Sequence, residues 1–88
     1  MIEQDLERAR HAAALLNNPL LDEILSTLKR TYVDDWLASE PRDIETRERL
    51  YLASRVVDDF SRELRIAVEN GAITKAILKR KQEREDRN

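Results

Sequence analysis

Apolar residues return at alternating intervals of three and four along most of the chain, the spacing that keeps side chains on one face of an α-helix. In the first segment Ile2, Leu6, Ala9, Ala13 and Leu16 form such a stripe and predict a helix over residues 2–16. Asn17-Asn18-Pro19 then ends it and starts another. Asn18 is an N-cap type, Pro19 suits a first turn, and Asp22 and Glu23 favour the positive end of a helix dipole. The second helix runs to about Ala38, with Leu21, Leu25, Leu28, Tyr32 and Trp36 as its stripe and Leu20, Ile24 and Leu37 widening it.

Residues 39–50, SEPRDIETRERL, carry almost nothing apolar before Leu50. Ser39 and Asp43 are both N-cap types, Pro41 is best tolerated at a helix start, and Glu45 with Arg49 is an i, i+4 pair. The stretch therefore reads as the corner between two helices. Beyond it Leu50, Ala53, Val57, Phe60, Leu64 and Ala67 keep a three-four alternation for nearly three heptads, the seam of an antiparallel bundle or a coiled coil. Glu69-Asn70-Gly71 predicts its end, because helices commonly close on a glycine with positive φ. AITKAILK follows as a short fourth helix with Ile73, Ala76 and Ile77 as its apolar face, and KRKQEREDRN, polar all round, predicts a frayed tail.

The expected fold is all-α: a long antiparallel helical hairpin of helices 2 and 3, an N-terminal helix that completes a three-helix bundle or an oligomer, and a short C-terminal helix. Residues 1–78 make one domain and residues 79–88 a charged tail. Folding about residue 41 brings Tyr32 to Tyr51 and Leu25 near Val57 to Phe60. Leu21, Leu25, Leu28, Tyr32, Val57, Phe60 and Leu64 are the expected core. Helix 3 outruns helix 2, so its end from Leu64 to Val68 needs another cover, from the alanine-rich helix 1 or from a second subunit.

Composition narrows the function classes. With 88 residues and 23 Leu, Ile, Val and Phe, the chain forms one modest core and has little room for an enclosed active site. The absence of cysteine removes disulfides, thiol nucleophiles and thiolate metal sites, and fits a reducing compartment. No run is long and apolar enough for a membrane span, and MIEQDLE is too acidic to begin a signal peptide, so a soluble intracellular protein is expected. The net charge of −2 is unevenly spread: residues 75–88 carry six basic and three acidic groups, against ten and fifteen in the remainder. An acidic body repels nucleic acid, whereas Lys79, Arg80 and Lys81 are a candidate nucleic-acid contact opposed by Glu83, Glu85 and Asp86 close by.

No constellation for catalysis, metal or cofactor emerges. The one histidine, His11, lies off the apolar stripe of helix 1 and reads as a surface residue. Asp34-Asp35 and Asp58-Asp59 are neighbours that diverge by about 100° on a helix, so neither pair converges on an ion. Asp58 and Asp59 are expected to pair with Arg62 or Arg55. One glycine cannot build a phosphate loop, and the serines have no histidine within plausible reach. The aromatic residues read as core, with Trp36 as a partly exposed contact residue.

NPLLDEIL, then WLASEPRDIETRERL, then a seam closing in NGAITKAIL resemble small helical proteins of tailed bacteriophages and prophages encoded among packaging and virion-structure genes. The likeness runs from about residue 12 to 78 and rests on Trp36, Pro41-Arg42-Asp43, Glu45, Arg47, Glu48 and Gly71. It implies a phage protein in the host cytoplasm or the virion that assembles with copies of itself or with a larger head or packaging protein. The leading expectation is a non-enzymatic helical assembly protein without cofactor, in which Leu6, Trp36, Ile66, Ile73 and Ile77 make partner contacts. One alternative is a small acidic inhibitor of a host nucleic-acid enzyme, presenting Asp34, Asp35, Asp58 and Asp59. Another is a small-terminase-like DNA-packaging subunit, whose usual DNA-binding helix-turn-helix has no counterpart in the short helix 1.

Overall fold

The computed structural model describes residues 2–87 and is all-α, with no strand among those residues. Helix α1 spans Ile2–Leu16, α2 spans Pro19–Ala38 and α3 spans Ile44–Asp86. The first break follows the local chemistry of Asn18. Its side-chain Oδ1 accepts from the amides of Leu20 and Leu21 at 2.9 and 3.2 Å, and Pro19 occupies the first turn, where no amide donor is needed. The second break closes on Ser39, whose amide and hydroxyl both donate to the Trp36 carbonyl at 3.2 and 2.6 Å. Asp43 then caps α3 by accepting from the Thr46 amide at 3.2 Å.

The expected stop at Gly71 and the separate fourth helix are corrected: α3 runs unbroken through 43 residues, and Lys79, Arg80 and Lys81 lie within it. No glycine has a positive φ among the described residues. Gly71 is buried inside the helix, and its reason is spatial rather than conformational. A Cβ built there collides with the Ala9 Cβ of α1 and comes within 3.5 Å of the Asp5 carbonyl. Glycine in a helix interior costs roughly 1 kcal/mol relative to alanine; here the absent methyl lets two helices approach closely.

The chain divides into two compact units, residues 2–17 with 63–87 and residues 18–62. In the first, α1 lies against α3 through Ala9 and Gly71, with Ala12 buried and Leu6, Ala13, Leu16, Leu64, Val68 and Leu78 half-buried. In the second, Lys29 of α2 donates to Asp58, whereas Trp36, further along α2, meets Arg47, nearer the start of α3. The later residue on one helix meets the earlier on the other, so these segments run antiparallel.

Two expected core residues are corrected. Leu28 and Phe60 are exposed, Phe60 to 48%, while Ser54 is buried at 8%. The face of α3 turned inward in this unit passes through Leu50, Ala53, Ser54, Val57 and Ser61, which keeps Leu50, Ala53 and Val57 of the expected seam and leaves Phe60 outside it. Small side chains at the contact permit close approach, and the Ser54 hydroxyl satisfies itself by donating to the Tyr51 carbonyl at 2.7 Å.

Candidate functional site

The residues expected to make contacts fall in two places. In the unit of residues 18–62, the last turn of α2 presents Trp36, and Arg47 reaches back from the first turn of α3. The guanidinium lies 4.0 Å above the indole centroid, and its Nη1 donates to the Trp36 carbonyl at 3.2 Å and to Ser39 Oγ at 3.0 Å. That carbonyl at the helix end already accepts from the amide and hydroxyl of Ser39, and the cation adds a further donor to the cap while stacking on the ring. Beside this corner Tyr32, Val33, Trp36, Leu50, Tyr51 and Ser54 line an open cleft of about 340 Å³. Its walls are aromatic and aliphatic with no charged group. The cleft can take an apolar side chain.

In the other unit a groove runs beside the contact of Ala9 with Gly71, with Leu6, Ala13, Val68 and Lys75 along it and a volume of about 730 Å³. Leu6 is half-buried there, occupied in packing. On α3 Ile66, Ile73 and Ile77 are exposed to 37, 58 and 58%, with exposed Asn70 among them. Spacings of four, three and four put the four residues on one line of the helix, apart from the line of Leu64, Val68, Gly71 and Leu78 that packs in this unit. Trp36 belongs to the unit of residues 18–62, and Leu6, Ile66, Ile73 and Ile77 belong to the other.

The carboxylates that suggested an acidic surface divide. Asp58 is paired with Lys29, and Asp59 accepts from Arg62 at 2.6 Å. Asp34 and Asp35 are exposed on α2. His11 is exposed, 3.7 Å from Glu7. The hydroxyl and amide of Thr46 hold the Asp43 carboxyl below the ordinary 3.8. Among the described residues, no three His, Cys, Asp or Glu side chains gather to hold a metal ion, and no helix is long and apolar enough to cross a membrane.

Sequence reasoning missed Arg47, whose partner lies across the corner, and the packing role of Gly71. Pro41 and Asp43 did mark the corner, and an arginine placed shortly after a tryptophan-bearing helix end was the available signal. Comparison with known protein families, characterised proteins and solved structures found no match to this chain.

Proposed function

We propose that this chain is a non-enzymatic, self-associating assembly protein. In it the antiparallel hairpin of α2 and the first part of α3 serves as a rigid element, and exposed apolar faces join copies of the chain. The observation that carries the reading is the apolar surface left uncovered. Among the described residues sixteen large hydrophobic residues are exposed, and Ala12 is the only buried apolar side chain. The accessible surface is 7519 Å² for 10.3 kDa, where a folded monomer of that mass exposes about 5,400 Å². The surplus is comparable with what a protomer buries in a substantial subunit interface. Apolar area on this scale associates with copies or precipitates.

The reading rests on these surfaces and is independent of the resemblance to phage proteins. It is tested by light scattering from micromolar to millimolar chain concentration. A mass that is a multiple of 10.3 kDa and falls on dilution is expected; a 10.3 kDa species throughout overturns self-association.

A second reading, a nucleic-acid contact at the end of α3, is favoured by the continuity of that helix, which sets Arg80 and Arg84 along one face together with Glu83, with Arg87 just past its end. It predicts duplex binding that weakens steeply with salt and disappears when residues 79–87 are removed. Binding that survives the deletion excludes this segment.

A further inference from the structure

We infer that the isoleucine line on the second half of α3 is a self-recognition seam, pairing with the same line of a second copy in antiparallel orientation. This rests on the assembly reading and adds to it the surface, the partner and the direction. The line continues beyond the isoleucines in both directions at the same spacing: Glu63, Ile66, Asn70, Ile73, Ile77, Arg80. All six residues are exposed, and among the described residues neither Glu63 nor Arg80 has an ion-pair partner.

The order of these residues is complementary to its own reverse. Laid against a second copy running the other way, Glu63 meets Arg80, Ile66 meets Ile77, and Asn70 meets Ile73, and each pair occurs twice about the dyad. An isologous contact requires this reciprocity, in which the residue that meets a partner is met in turn by its equivalent. The acidic end of one line falls on the basic end of the other, with the apolar centre between. The two copies of Asn70 lie about 4.5 Å apart along the axis on either side of the dyad, within reach of an amide-to-amide hydrogen bond.

A parallel pairing of the same line also brings Asn70 to Asn70, but it sets Glu63 against Glu63 and Arg80 against Arg80. Like charges at a seam are what such helices use to reject an orientation. The charges therefore choose the antiparallel arrangement, and the narrow line of three isoleucines supplies the apolar contact.

The cysteine-free sequence makes direction directly measurable. Full-length I66C and I77C variants are prepared separately and mixed under mild oxidation. In the antiparallel register the I66C thiol faces the I77C thiol of the partner, whereas two I66C thiols are about 16 Å apart, beyond disulfide reach. The mixture is expected to give a cross-linked dimer and each variant alone none. Cross-linking of each variant alone overturns the direction.

In parallel, E63R and R80E are each expected to raise the dissociation constant at least about tenfold, and E63R/R80E together to restore it. Circular dichroism confirms that each variant keeps its helix content. A wild-type oligomer whose mass is unmoved by either charge reversal, together with no cross-link in the I66C and I77C mixture, sinks this seam while leaving the assembly reading in place. A wild-type chain monomeric at every concentration sinks both.

Discussion

The α-carbon of Gly71 in α3 faces the methyl group of Ala9 in α1 so closely that a second methyl has no room between them. Gly71→Ala sets two effects against each other. Alanine gains roughly 1 kcal/mol of helix propensity, and overpacking a rigid contact costs typically 1–3 kcal/mol. The obstacle is a Cβ on a helix backbone, which cannot rotate away, so the variant is expected to be less stable by about 1 kcal/mol in urea denaturation. Ala9→Gly in the same chain removes the obstacle and is expected to recover part of the loss; failure to recover it would place the cost elsewhere.

Arg47 stacks on Trp36 and donates to two acceptors at the end of α2. Arg47→Ala is expected to lower stability by about 1–2 kcal/mol, from the lost stacking and the lost hydrogen bonds at a half-exposed site. Arg47→Lys keeps the charge without the planar fork and is expected to recover less than half of that. Equal urea midpoints for Arg47→Lys and wild type would show that charge alone matters.

The Asp43 carboxylate caps α3 and is held below 3.8 by its bonds to Thr46. Because the folded form holds its proton less tightly than the unfolded form, the contribution is complete above the unfolded value near 3.8 and is lost as pH falls through the lower folded value. Asp43→Asn retains an acceptor that does not titrate. Its stability relative to wild type is expected to improve between pH 5 and about 2.5, as followed by helix content; a constant difference would remove Asp43 from the acid response.

Asn18→Ala removes the acceptor for two amides at the start of α2 and is expected to cost about 1 kcal/mol, whereas Asn18→Asp is expected to be neutral or slightly stabilising beside the helix dipole. Thermal denaturation of the three proteins checks the order.

The ends of α1 and α2 were legible because Asn18, Pro19, Ser39 and Asp43 act on backbone groups within a few residues of themselves. The length of α3 was not. Gly71 can end a helix by its φ or admit another helix by its size, and the second depends on Ala9, far earlier in the chain. The same locality explains Phe60. Ranking positions by hydrophobicity selects it for the seam, while the inward line through Ser54 and Ser61 is chosen by how closely helices approach. Ile66, Ile73 and Ile77 are exposed, and their shared line was hidden by the assumption of a break at Gly71.

The single tryptophan sits under a cation at the one corner where α2 ends. Its emission is therefore a built-in optical gauge of that corner, needing no label. Loosening there registers as a colour shift from residues 18–62 alone, while circular dichroism sums over every helix. Comparing the two traces during unfolding separates a chain that melts as one body from one that melts in stages.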